Sequence, residues 1–198
     1  MSYSKEISFL SKSDPILGTV IEKHPPFDLK PSTEYFKDLV STIISQQLSF
    51  KVFRSLEKRL FDKLDNKITS KTILALPDEE YRKCGMSSSK AKYIKNIAVY
   101  YKENPEFFKN ISIMTDSEIH DGLISIKGIG EWSIQMFLIF NLVRLDVFPM
   151  KDLGIRNSIK KLYKLKDVPT EKQMLKIANK WGNYKTIATW YLWRHHEN

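Results

Sequence analysis

Residues 125–140, SIKGIGEWSIQMFLIF, decide how this chain is read. Two glycines, Gly128 and Gly130, stand one residue apart between a helical pattern and a long apolar run. Upstream, Thr115 and Glu118 have capping-box spacing, which opens a helix leading into the glycines. Downstream, EWSIQMFLIF is apolar on nearly every side after Glu131, as in a helix buried in a core. Glycine permits close approach and unusual φ/ψ, and the first N–H groups of the second helix have no partner inside it. Pointed at a DNA phosphate, such groups bind it without regard to base sequence. Lys127, Gly128, Ile129 and Gly130 are therefore the expected phosphate contacts. A plain tight turn between two core helices has the same local pattern, so the rest of the chain must decide.

Beyond the hairpin, DVFPMKDLGIRNSIKKLY (146–163) breaks at Pro149 and reopens at Asp152 as a basic helix. An Asp just before a helix is usually an N-cap, and spacing alone leaves both Asp146 and Asp152 open for chemistry. Thr170 and Gln173 form a second capping box, and YKTIATWYLWRHH (184–196) is an aromatic-rich last helix. On the other side, Asp14 before Pro15 starts a helix and HPPFDLKP (24–31) is a linker. STEYFKDLVSTIISQQLSF (32–50) then repeats Phe36, Leu39, Val40, Ile43, Ile44 and Leu48 at helical spacing. A basic helix over 51–64 follows, then short helices near 70–76 and 78–84, the second capped by Asp78 and ended by Gly85. SSSKAKYIKNIAVYYKEN (87–104) places Ala91, Ile94, Ile97, Ala98 and Tyr101 on one face with lysines opposite. No segment alternates with period two between turn signals. The expectation is all-α, with ten or eleven helices and short loops.

Bulk composition narrows the function. The 198 residues carry 32 Lys plus Arg against 23 Asp plus Glu, a net charge of +9 that favours a polyanionic partner. Cys84 is the only cysteine, which excludes disulfides, Cys-based zinc sites and iron–sulfur clusters within one chain. The four histidines lack zinc spacing, so no metal centre is expected. No run approaches the ~18 apolar residues that span a bilayer. The chain is expected in the cytoplasm, at the nucleoid, or in a nucleus if the source is eukaryotic.

The ordered set QQLS, KAKYIKNIA, IKGIGEW, DVFPMKDLGIR and YKTIATWYLWR resembles the helix-hairpin-helix (HhH-GPD) DNA glycosylase superfamily, most closely its 3-methyladenine DNA glycosylase II branch. The resemblance runs from about residue 24 to 194. It implies a two-lobed helical fold with a DNA-binding cleft between the lobes, over 1–198 as a single unit. One lobe would hold about 1–30 plus 143–198, and the other about 31–142 with the helix-hairpin-helix at 116–142. Asp152 matches the family's essential aspartate, and Asp146 a recurring non-catalytic one. Trp132 matches an aromatic that contacts the flipped base, Met136 replaces a second pocket aromatic, and Tyr184 falls near a pocket aromatic of the last helix. The Gln46–Gln47 pair falls where the family fills the gap left in the duplex, so Gln47, or Leu48 beside it, is the expected wedge. Asn183 and Lys185 depart from a Pro and an Arg common in the last motif, which bears on substrate range.

The implied function is a monofunctional glycosylase of base excision repair, acting as a monomer on damaged double-stranded DNA. It would remove alkylated purines such as 3-methyladenine and 7-methylguanine. Extruding a base costs a few kcal/mol, less for a damaged one. A purine methylated at N3 or N7 is cationic, hence an activated leaving group, and attracts electron-rich rings. Asp152 would stabilise the oxocarbenium-like sugar and orient water. A helix N-terminus favours charged carboxylates, so electrostatic stabilisation should outweigh proton abstraction there. Lyase-type relatives carry a lysine nucleophile just after the hairpin; here Trp132 stands in that position, so no strand cleavage is expected. No cofactor is expected, beyond a monovalent cation that hairpins of this family often hold through backbone carbonyls. Rival readings are a glycosylase for deaminated or oxidised bases, a non-catalytic DNA-binding module, and a basic helical scaffold.

Overall fold

The computed structural model describes residues 3–197. Its elements are all helical among those residues, as expected. They begin with α1 (Ser4–Ser13), α2 (Pro15–Ile21), α3 (Tyr35–Ser45) and α4 (Phe50–Lys63). Next come α5 (Ser70–Ala75), α6 (Asp78–Lys83), α7 (Ser88–Glu103) and α8 (Pro105–Asn110). The chain continues with α9 (Asp116–Ile124), α10 (Glu131–Phe140), α11 (Leu153–Leu162) and α12 (Glu171–Ala178). A 3-10 turn at Asn179–Trp181 precedes α13 (Lys185–Glu197).

The predicted caps form at Asp14, Thr115 and Thr170, the last two as full capping boxes. At α6 the cap differs: Pro77 occupies the N-cap and Asp78 is the first helical residue, where its charge suits the helix dipole. The described residues form thirteen α-helices against the ten or eleven expected; α1 and α8 are the two that the sequence pattern did not mark. The six residues of α8 begin at Pro105, which suits the first helical position.

The chain forms two compact units: the residues up to Pro31 together with those from Leu138 onward, and Ser32–Phe137. The second boundary falls within α10. In the first unit, α13 packs on α11, α2 and α1, with Leu10, Leu17, Ile155, Ile159, Trp181, Ile187 and Tyr191 buried around it. Asp14 is fully buried there. Its carboxylate accepts from the Leu17 N–H at 3.4 Å, the Tyr163 hydroxyl at 2.5 Å and the Trp181 indole N–H at 3.1 Å. Burial, and then the bond to Asp14, push the Tyr163 phenol well above its ordinary pKa. This acid satisfies polar groups from three separated segments in a water-poor core, where each would otherwise cost free energy.

In the second unit, α7 is the hub, packed by α3, α5, α6 and α8. Its apolar stripe, Ala91, Ile94, Ile97 and Ala98, is buried as the spacing predicted. Tyr101 of α7 packs its ring at a tilt against Phe36 and Phe108, with centroids 4.8 and 4.5 Å away. The fully buried Tyr81 donates its hydroxyl to the Ile73 carbonyl at 2.8 Å.

Candidate functional site

The hairpin between α9 and α10 has an apolar underside and a polar tip. Ile126 and Ile129 are buried, and the Ile129 N–H closes the turn onto the Ile126 carbonyl at 2.9 Å. Its two glycines are required for different reasons. Gly128 has φ +111°, and a Cβ there would lie 2.2 Å from Cγ of Tyr93. Gly130 accepts the first α10 bond from Ile134 N–H at 3.1 Å, making it the helix N-cap. A Cβ on Gly130 would meet nothing within 4 Å. Open backbone at a helix N-terminus is what an incoming phosphate needs. The Lys127 side chain is exposed at the tip.

Side chains of the same unit hold the tip from beneath. Asn96 donates to the Lys127 carbonyl at 2.8 Å, and the Gln46 amide donates to the Gly128 carbonyl at 3.0 Å and to Ser133 Oγ at 2.9 Å. These bonds bear on a carbonyl-held cation. The Ile126, Lys127, Gly128 and Gly130 oxygens each accept one N–H, from backbone or side chain, which leaves each a second lone pair. Glu131, exposed in the first turn of α10, meets His120 Nε2 at 2.9 Å and Gln135 Nε2 at 3.1 Å. His120 Nδ1 meets Asp121 at 3.1 Å, and the hydrogen bonds to Asp121 and Glu131 raise the imidazole pKa above its ordinary value.

The QQLS loop is joined to this hairpin through Gln46. The next residue, Gln47, is exposed and has φ +57°, a left-handed conformation uncommon outside glycine. Leu48 is half-buried, with its N–H bonded to the Ser45 carbonyl at 3.2 Å. Of the two wedge candidates, Gln47 is therefore the more exposed. Trp132 is partly buried and Met136 is buried at the same face of α10, four residues on.

In the other unit, Asp152 is the N-cap of α11. Its Oδ1 accepts the Ile155 N–H at 3.0 Å and the Trp193 indole N–H at 3.1 Å. Trp193 in turn stacks on the half-exposed Phe140, with ring centroids 5.4 Å apart and 24° between planes. A fixed carboxylate beside a stacked aromatic pair can stabilise a nearby cation and receive a flat ring. Asp146 is exposed and ion-paired with Lys185, which separates the two acids that spacing left open. Tyr184 is partly buried, its ring edge-on to Phe9 of α1 at 5.4 Å. Sequence reasoning missed Trp193, Phe140 and Asn96. Trp193 stands 41 residues from Asp152, and no local pattern signals such a bond.

The family profile described as "HhH-GPD superfamily base excision DNA repair protein" matches residues 40–183. DNA-3-methyladenine glycosylase 1 of Schizosaccharomyces pombe is 34% identical over 171 residues, 81% of this chain and 72% of that protein. The alkylbase DNA glycosidase-like protein mag2 of the same yeast is 30% identical over 199 residues, 97% of this chain and 93% of that one. Among solved structures, the Schizosaccharomyces pombe 3-methyladenine DNA glycosylase in complex with abasic DNA superposes with a TM-score of 0.85 at 29% identity. That match covers 96% of this chain and 95% of the other.

Proposed function

The chain belongs to the HhH-GPD superfamily of base excision DNA repair proteins, and from that membership we propose a monofunctional DNA glycosylase that flips and excises alkylated purines. The observation that carries the reading is Asp152, a helix-capping carboxylate fixed by two N–H donors beside the Trp193–Phe140 stack. In this reading the hairpin backbone at Lys127, Gly128, Ile129 and Gly130 grips a phosphate of the damaged duplex. Gln47 enters the gap left by the extruded nucleotide, with Leu48 behind it. Trp132 and Met136 of α10 and Tyr184 near the start of α13 contact the base.

The chemistry follows from the leaving group. A purine methylated at N3 or N7 carries positive charge, so breaking the C1′–N bond returns an electron pair to the ring and releases it neutral. The sugar is left cationic at C1′, and the Asp152 carboxylate stabilises that charge without itself forming a bond. Water adds to C1′ and loses a proton, giving an abasic site and free base. Aromatic faces favour the charged purine over its unmethylated counterpart, by ~0.5–2 kcal/mol per cation–π contact. The protein acts on DNA as a monomer, and among the described residues no helix is long and apolar enough to cross a membrane.

Chromatography of the bases released from dimethyl sulfate-treated duplex DNA tests this directly. The expected products are free 3-methyladenine or 7-methylguanine, with no protein–DNA adduct trapped by borohydride because no lysine follows the hairpin glycines in GIGEWS. Release of only deaminated or oxidised bases from the corresponding DNA would replace the alkylated substrate. A strong trapped adduct would replace the monofunctional mechanism.

A further inference from the structure

One side of α7 carries Lys90, Tyr93 and Asn96 at successive three-residue steps, and each touches the DNA-facing loops of its unit. The Lys90 ammonium donates to the carbonyls of Ile44 at 2.5 Å and Gln46 at 2.9 Å. These carbonyls flank the C-terminal end of α3, where the helix leaves oxygens without internal partners. Tyr93 fills the space beneath Gly128, and Asn96 holds the Lys127 carbonyl. Gln46 closes the circuit, its carbonyl on Lys90 and its side chain on Gly128 and Ser133. Gln47, immediately after this doubly tied residue, has its unfavourable left-handed backbone and points its exposure to solvent. Such a conformation persists only where its surroundings over-determine it. Burial lowers the Lys90 pKa, which marks an ammonium drawn partly out of water to hold these carbonyls.

We propose that Lys90 is a positioning residue for duplex invasion, holding Gln47 in register with the hairpin so that phosphate anchor and wedge act as one rigid piece. The inference rests on the wedge role of Gln47 given above. It assigns Lys90 no contact with DNA. Lys90 fixes the backbone from which Gln47 projects, and Gln46 transmits the position of Gly128 to the same backbone. Binding of a phosphate at the hairpin thereby sets where the wedge meets the base stack. A misplacement of about 1 Å at such a contact can cost about a hundredfold in rate.

The test uses a duplex with one tetrahydrofuran abasic analogue and 2-aminopurine as its 3′ neighbour, whose fluorescence reports what fills the gap. No base is excised, so a failure of the alkylated-base reading would show only in the release assay on methylated DNA. Saturating wild-type protein is expected to change the fluorescence, and Gln47→Ala to abolish the change. Lys90→Met keeps length without donors, and Lys90→Gln keeps a shorter donor. Both are expected to lose about fivefold or more of the change while binding the duplex within about twofold of wild type, as for a displaced side chain on an intact anchor. A wild-type signal from both Lys90 variants overturns the proposal. So does a loss that merely tracks lost binding or lost folded fraction in thermal melts, which is what a purely structural helix cap would give. A change that survives Gln47→Ala removes the wedge, and this inference with it.

Discussion

Gly128 and Gly130 look alike in the sequence, yet one faces the protein and the other faces open space. At Gly128 an added Cβ would collide with Tyr93, on a backbone with φ +111°. The left-handed backbone alone costs a non-glycine residue about 1–2 kcal/mol, and the 2.2 Å approach to Tyr93 adds to it. Gly128→Ala is therefore expected to lower the melting temperature measurably and weaken DNA binding with it. Gly130→Ala has no neighbour within 4 Å to disturb. It should melt like wild type but bind duplex DNA at least about tenfold more weakly, because the methyl group lies where a phosphate must approach the helix N-terminus. Melting curves and anisotropy titrations on both variants check the pair; equal loss of stability in the two would contradict the division. At Asp152, likewise, the capping bond to Ile155 and the Trp193 bond converge on Oδ1. The structural role of the cap and the orientation of the carboxylate are thus the same interaction, which is why an ordinary N-cap signal in the sequence left its chemistry undecided.

Helices α9 and α10 are joined across the hairpin by more than their turn. His120 of α9 bridges its neighbour Asp121 and Glu131 of α10. Those partners raise the imidazole pKa, Asp121 first. The bridge therefore contributes fully below the unfolded-state value of about 6.5 and is lost as pH rises through the higher folded-state value. An NMR titration of His120 should give a midpoint above that of a free histidine, and Glu131→Gln should bring it down. The same variant removes a negative charge beside the proposed phosphate site and should tighten binding of duplex DNA at low salt. An unshifted midpoint in wild type would contradict the bridge. At this scale the sequence was most informative: capping boxes, glycines and apolar stripes are local, and the hairpin and the apolar face of α7 were legible from them. The ties that position the site were not. Gln46 and Gly128 are 82 residues apart, and Lys90 and Ile44 are 46 apart. Such bonds depend on how helices pack and leave no period in the sequence. Helix α8 was not read from the sequence, although α5 and α6, equally six residues long, were marked by their own cap and stop signals.

One compact unit is built from two distant segments, the residues up to Pro31 and those from Leu138 onward. Asp14 joins these segments within that unit through Tyr163 and Trp181. Asp14 was legible only as a helix cap. Its deeper role needs partners 149 and 167 residues away. Asp14→Ala would strand the buried Trp181 indole N–H and the part-buried Tyr163 hydroxyl and is expected to cost about 3 kcal/mol, lowering the melting temperature by roughly 6–12 °C. A calorimetric melt indistinguishable from wild type would show that these groups find other partners. In the proposed function a net charge of +9 draws the protein to DNA of any sequence, and one carboxylate, Asp152, is assigned the cleavage of the base. The direct test of that division is single-turnover release of 7-methylguanine from duplex DNA by wild type and Asp152→Asn, with binding to an abasic-analogue duplex measured on both. The expected result is binding within about threefold of wild type and release slowed by about a hundredfold or more. Release at the wild-type rate, or loss of release matched by an equal loss of binding, would contradict the assignment of the chemistry to Asp152.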